Sequence, residues 1–261
     1  MTSMTALFRP AEGEAWRPDP ITRGPFDGMQ GGVAAGLMCA EVEAVAGQGG
    51  LGFVSAFTAH FLKPTPVADL TVTISMLRQG RRVSFVDASL SGPAGLCAVA
   101  RATLIQPMVD DQLPVPPDRP CDPAALSQLS RAAPHGGPWF MDAMEVRVGQ
   151  GQAWFRQRQP LRQGQGPMTA VLPAADWSHG LGPPLGANTR PPVAIPNPDL
   201  TVHLFRPPVG EWIGLESASA WSHASIGGGW SPLYDIQGLI GQVAMSVAIT
   251  RLVAHQTSWG A

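Results

Sequence analysis

The sequence is poor in charged residues and has very few lysines and cysteines. Its 261 residues include a single lysine, Lys63, and charged residues make up only 14% of the chain. The net charge of −2 gives no basic surface of the kind that binds nucleic acid or an anionic membrane. Neither partner is therefore expected.

The three cysteines exclude both a disulfide framework and a zinc clip. Cys39, Cys97 and Cys121 are an odd number, and none is spaced like a metal ligand pair. Cys39 and Cys97 lie in apolar runs, which predicts buried thiols and not a catalytic thiolate. We expect no metal and no cofactor.

Long apolar runs are also missing. No stretch of about eighteen apolar residues could span a bilayer. The segment from Met1 to Arg9 lacks the charged-then-apolar order of a signal peptide. The sequence therefore predicts a soluble, cytoplasmic protein. Since 44% of the residues are hydrophobic, there is enough apolar material for a large core.

Two patterns alternate along the first half. The run from Gly31 to Val45 is nearly continuously apolar and rich in small residues, which predicts a helix that a sheet can pack against closely. Period-two alternation then predicts a strand from Leu70 to Met76, a turn at Arg78–Arg82, and strands over Val83–Leu90 and Leu96–Ile105. This is one helix followed by an antiparallel meander.

A proline-rich stretch separates this half from the next. We predict an interdomain connection over residues 108–137, with a short helix at Pro123–Arg131, between domains spanning 1–107 and 138–261. In the second half the patterns predict one helix and four strands, over the following ranges: a strand at Met144–Val148, a helix at Met168–Trp177, and strands at Leu200–Phe205, Trp212–Ala220 and Leu239–Ile249.

An internal repeat relates the two halves. The segment Thr58–Pro64 (TAHFLKP) matches Thr201–Pro207 (TVHLFRP) at an offset of 201 − 58 = 143 residues, and the same offset carries Gly95-Leu96 onto Gly238-Leu239. Two copies of one small α+β unit are therefore predicted. The repeated histidines, His60 and His203, share a strand face with a threonine, so they are read as strand residues that hydrogen-bond a neighbour, with a catalytic role as the alternative.

Several short segments together resemble the TesB-like acyl-CoA thioesterases of the double hot-dog superfamily. The similar segments are Gly31-Gly32-Val33, Phe61–Pro64, Leu77–Arg82, Phe205–Trp212 and Leu233–Leu239. The resemblance implies a tandem hot-dog fold of the α+β class, in which each antiparallel sheet wraps around a central helix. It also implies an acyl-CoA substrate and a homodimer.

The resemblance further implies the site residues. Thioester hydrolysis needs an activated water and stabilisation of an oxyanion, tasks that a carboxylate and helix N-terminal N–H groups can perform. The family's catalytic Asp falls on Asp176, while its Thr and Gln positions fall on Asn197 and Ser246, which depart from the pattern. The oxyanion donors are expected at the backbone of Gly32 and Val33.

Phosphate binding and two other activities complete the expectations. Arg78, Arg81 and Arg82 are candidate contacts for the phosphates of coenzyme A, although a solvated hairpin tip is the simpler interpretation. A protein that binds acyl-CoA without turnover is one alternative function, favoured by Asn197 and Ser246. A hot-dog hydratase or dehydratase that uses Asp176 with His179 is the other.

Overall fold

The computed structural model describes residues 6–108, 110, 112–114, 121–130, 136–179 and 193–251. Two α-helices and four short 3-10 helices occur in these ranges: α1 is Gly31–Gly49 and α2 is Pro167–Ala175, and the 3-10 helices are Glu12–Glu14, Pro20–Thr22, Pro123–Ala125 and Phe140–Ala143. None of the helices in this part of the chain has both the length and the apolar character needed to cross a membrane.

Sixteen strands are formed by the same residues. In chain order they are β1 Phe8–Pro10, β2 Trp16–Pro18, β3 Phe53–Phe61, β4 Thr71–Arg78, β5 Val83–Gly92, β6 Gly95–Ile105, β7 Ser127–Leu129, β8 Met144–Gly149, β9 Gln152–Gln157, β10 Val193–Ala194, β11 Asp199–Leu204, β12 Trp212–Leu215, β13 Ala218–Trp221, β14 Ile226–Asp235, β15 Gly238–Ala248 and β16 Thr250–Arg251.

Helix α1 forms the centre of the first half. Gln30 caps its start, because the side-chain oxygen of Gln30 accepts a hydrogen bond from the N–H of Val33. Gly50 caps its end, and the left-handed backbone there suits glycine. Most of its residues from Gly32 to Val42 are buried, so it is covered on nearly every side. The predicted helix is confirmed, and its small side chains explain how the sheet can wrap around it.

Strands from both halves join into one antiparallel sheet. Its order is β4-β5-β6-β3-β11-β15-β14-β12-β9-β8-β7, with β13 paired to β14. The halves meet where β3 pairs with β11, and Thr58 lies directly opposite Thr201, its equivalent in the repeat. The two hydroxyl groups are 3.2 Å apart and hydrogen-bonded. A pseudo-twofold axis therefore passes through this pair, which confirms the two-copy arrangement.

The final strands of the two halves also correspond. β6 begins at Gly95 and β15 begins at Gly238, the glycines that the repeat aligns, and both have positive φ values, 85° and 143°. Glycine adopts such angles without strain, so it marks the turn into each strand. The repeat is therefore visible in backbone conformation as well as in sequence.

The structure differs from the predicted elements in several places. The helix expected at Pro123–Arg131 is a single 3-10 turn, Pro123–Ala125, followed by β7, so part of the proline-rich stretch belongs to the sheet. The strand expected at Trp212–Ala220 is two short strands, β12 and β13. β14 was missed because Gly227-Gly228-Gly229 breaks the apolar alternation that marks a strand.

The two helices run antiparallel against each other, and each carries a carboxylate to the start of its partner. At one end, Gly32 of α1 lies against Leu172 and Asp176 at the end of α2. At the other end, the carboxylate of Glu43 in α1 accepts hydrogen bonds from the N–H groups of Met168 and Thr169, at 2.8 and 3.3 Å. Glu43 thereby satisfies N–H groups that the first turn of α2 leaves unpaired.

Candidate active site

Asp176 is a buried carboxylate at the end of α2. It is only 6% exposed and lies against the first turn of α1. Its two oxygens accept hydrogen bonds from two amide side chains: Gln30 Nε2 donates to Oδ2 at 2.7 Å, and Asn197 Nδ2 donates to Oδ1 at 2.8 Å. A buried carboxylate needs such partners, because burial without them is costly.

Glycine at the start of α1 permits this approach. A Cβ atom added to Gly32 would lie 2.8 Å from the Cβ of Asp176 and closer still to the carbonyl oxygen of Leu172. A Cβ atom at Gly31 would lie 3.1 Å from both carboxylate oxygens of Asp176. The Gly31-Gly32 pair is therefore a steric requirement of the site and not only a tight turn.

The surroundings of Asp176 shift its acidity. Burial raises the pKa of the Asp176 carboxyl, while the neighbouring His179, the amide of Asn197 and the N–H of Gly32 oppose that rise. Burial lowers the pKa of the His179 imidazole, and Asp176 opposes that shift. A carboxylate with a raised pKa is a stronger base, which suits the abstraction of a proton from water.

A cavity of about 270 Å³ opens beside this carboxylate. Gly31 and Asn197, which both adjoin Asp176, form part of its wall. The remaining wall residues are mostly apolar, with two charged side chains and one threonine: Phe26, Asp27, Met29, Phe61, Lys63, Pro64, Thr65, Pro196, Pro198 and Ala248. A small molecule in the cavity would thus reach the start of α1 and the amide that holds Asp176.

The expected oxyanion donors are already engaged. The N–H of Val33 donates to the side-chain oxygen of Gln30 at 2.8 Å, and the N–H of Gly32 faces Asp176. The N–H of Gly31 makes no hydrogen bond to any described residue, and Gly31 lines the cavity. Among the described contacts, the N–H of Gly31 therefore stays available to a ligand, because the Gln30 side chain caps the first turn at Val33, and the oxyanion role of Gly32 and Val33 stays a prediction.

Ser246 does not join the cluster. Its side chain is exposed, and its backbone N–H donates a hydrogen bond to Asp199 Oδ1 at 2.7 Å. Ala248, two residues later, is the β15 residue that lines the cavity. The last strand thus offers no amide to Asp176, whereas Gln30, which the sequence analysis missed, supplies one from the opposite side.

The structure leaves the three arginines of the β4–β5 hairpin far from the cavity. The carbonyl of Arg82 accepts a hydrogen bond from Gln106, whose side chain bonds the carbonyl of Gly50 at the end of α1. Asp176 lies at the other end of α1, about 28 Å away along a helix of this length. Arg78, Arg81 and Arg82 therefore do not face a ligand bound beside Asp176.

His179 is close to Asp176 and half-buried against β14. A Cβ atom added to Gly229 of β14 would lie 2.6 Å from the Cβ of His179, so a glycine is needed there. The repeated histidines His60 and His203 instead lie exposed on the outer face of the sheet. Within the described residues, no three or more His, Cys, Asp or Glu side chains are grouped to hold a metal ion.

The sequence of each half matches a known family. Two family profiles match, the acyl-CoA thioesterase N-terminal domain over residues 20–105 and the acyl-CoA thioesterase C-terminal domain over residues 109–249. No curated protein matches the chain.

Solved structures with the same fold include the following three. A hot-dog protein of unknown function from Alicyclobacillus acidocaldarius is 18% identical, with a TM-score of 0.70 over 94% of this chain and 96% of that one. A candidate thioesterase II from Thermobifida fusca YX is 14% identical, with a TM-score of 0.72 over 96% and 99%. The acyl-CoA thioesterase II TesB2 from Mycobacterium marinum is 15% identical, with a TM-score of 0.66 over 95% and 96%.

These likenesses confirm the tandem hot-dog fold. The two profiles together cover most of the residues, one on each half. The chain therefore belongs to the acyl-CoA thioesterase family.

Proposed function

We propose that the protein hydrolyses an acyl-CoA thioester, with Asp176 as the general base. The observation that carries this proposal is a buried carboxylate with a raised pKa, held by two amide donors beside a cavity at the start of a helix. Family membership supports the substrate class.

The reaction assigns a task to each group. Asp176 accepts a proton as the water oxygen bonds to the carbonyl carbon, and the carbonyl electrons move onto oxygen. The N–H of Gly31, at the positive end of α1, stabilises that oxyanion. When the carbonyl reforms, the carbon–sulfur bond breaks, and the proton held by Asp176 passes to the departing thiolate. The products are a carboxylic acid and coenzyme A.

Asn197 and Gln30 act as positioning residues. Their amide N–H groups fix both carboxylate oxygens, so the direction of the base is set before substrate binds. Asn197 also donates to the carbonyl of Asp199 at 3.2 Å, which ties it to the start of β11. The Thr position of the family is thus filled by an amide that still makes a hydrogen bond to the base.

The test is thiol release from acyl-CoAs of varied chain length. We expect Asp176→Asn to lower kcat by about 10²- to 10⁴-fold, the usual contribution of a general base. The matched control is Asp69→Asn, which removes an exposed carboxylate paired with Arg17. Unchanged turnover in a folded Asp176→Asn protein would remove Asp176 from the mechanism. Enoyl-CoA hydration and acyl-CoA binding without turnover are measured in parallel, because they identify the two alternative functions.

A further inference from the structure

The repeat places a cation at equivalent positions in the two halves, but among the described residues only one of the two has a carboxylate partner. Arg206 follows β11, and its guanidinium binds both oxygens of Asp235, which is fully buried. Lys63 is its equivalent after β3. The same offset of 143 residues carries Asp235 back onto Gly92 (235 − 143 = 92), which has no side chain to pair with Lys63.

Gly92 could not be replaced by an acid without disturbing its neighbours. A Cβ atom there would lie 2.9 Å from the ring of Pro66 and 3.3 Å from Leu70. Lys63 makes no ion pair with any described residue, and its ammonium group donates to the backbone carbonyl of Ala94. Since an ammonium group has three donors, Lys63 keeps capacity for a further anionic partner.

Lys63 lines the same cavity that reaches Gly31 and Asn197. Asp27 is the other charged residue in the cavity wall, and it lies 4.0 Å from Arg23 and is almost fully exposed. Arg23 therefore offsets the negative charge of Asp27, and Lys63 keeps its positive charge in the cavity wall. The cavity wall thus combines Gly31 and Asn197, which adjoin Asp176, with the cation of Lys63.

We propose that Lys63 binds a phosphate group of the coenzyme A or phosphopantetheine part of the thioester substrate. This inference rests on the proposed function. When the thioester carbonyl lies at Gly31, the pantetheine arm of the substrate must extend out of the cavity. The anionic group on that arm is a phosphate. Lysine suits phosphate as a compact charge. The hairpin arginines lie at the far end of α1, which leaves Lys63 as the charged donor in the cavity wall.

The experiment compares three thioesters of one acyl group: acyl-CoA, acyl-4′-phosphopantetheine and acyl-pantetheine, which has no phosphate. We expect Lys63→Ala to raise KM about tenfold for phosphate-bearing substrates, the effect of one charge-assisted hydrogen bond, and to leave acyl-pantetheine unchanged. Lys63→Arg should restore most of the affinity. Arg158→Ala is the matched control, since it removes an exposed cation that does not line the cavity.

The substrate pattern identifies the phosphate. Weakening of both phosphate-bearing substrates assigns the pantetheine phosphate, and weakening of acyl-CoA alone assigns a nucleotide phosphate. Equal changes for all three substrates, or none, would overturn the inference.

Calorimetry with free coenzyme A gives a readout that is independent of turnover. About tenfold weaker binding of coenzyme A to Lys63→Ala supports the inference even if the wild-type protein cleaves no thioester. Absence of cleavage by the wild-type protein would contradict only the proposed function. Absence of coenzyme A binding to wild-type protein, or equal binding to the variant, contradicts it.

Discussion

Asn197→Leu offers a direct test of how the base is tuned. The substitution keeps the approximate volume of the side chain but removes the donor that lies 2.8 Å from Asp176 Oδ1. That bond favours the ionised carboxylate, so its loss favours the protonated form and raises the pKa of Asp176 further. A hydrogen bond to a charged group contributes about 1.5–3 kcal/mol. At about 1.4 kcal/mol per pKa unit, the expected rise is roughly one to two units.

The assay is the pH dependence of kcat/KM for thiol release. Because Asp176 acts as a base only when ionised, the acidic limb of the profile should move to higher pH by about the same one to two units. Activity should return on the alkaline side of the new limb. Gln242→Leu is the matched control, since it removes an amide from the exposed face of β15. An acidic limb that stays in place in Asn197→Leu would refute the tuning of Asp176 by this amide.

Two further substitutions test the helix contacts. Gly32→Ala should lower the free energy of unfolding by about 1–3 kcal/mol, because the added methyl group meets the backbone of α2. The control Gly47→Ala lies in the same helix with open space around it and should raise the free energy of unfolding by about 0.5–1 kcal/mol. Chemical denaturation measures both. Burial raises the pKa of the Glu43 carboxyl above its ordinary value of 4.5, so the folded state binds the carboxyl proton more tightly than the unfolded state does. The contribution of Glu43 to stability therefore declines as the pH rises from 4.5 through the folded-state pKa. Glu43→Gln should lose this dependence, and a wild-type-minus-variant difference in unfolding free energy that is flat with pH would contradict it.

The fold was largely predictable because its signals are local. Small apolar residues mark α1, period-two alternation marks β4, and the repeat predicts that the second half copies the first. β14 was not predictable in the same way, since two of its three glycines are needed by neighbours: Gly227 lies against the carbonyl of Ala220, and Gly229 makes room for His179. That requirement arises from tertiary packing and leaves no periodic pattern.

The candidate site was predictable only in part. The structure brings Asp176, Asn197 and the Gly31-Gly32 pair together, while the catalytic roles that the resemblance implies for Asp176, Asn197, Gly32 and Val33 stay predictions. Ser246 was chosen by counting along a strand, where an error of two residues keeps the face but moves the position by about 7 Å, and Ala248 lies at the cavity instead. Gln30 carried a weak signal that was overlooked: glutamine is an unusual residue to begin a helix, and here its amide bridges two helices.

The pseudo-twofold axis through Thr58 and Thr201 has a consequence for how this chain can evolve. In a dimer of identical subunits, any substitution appears twice, so both helix beginnings must carry the same residues. Here one beginning carries Gln30 with Asp176 across from it, while the other is closed by Glu43. Because the two copies are covalently linked, their helix beginnings can carry different residues, and each can be substituted without changing the other.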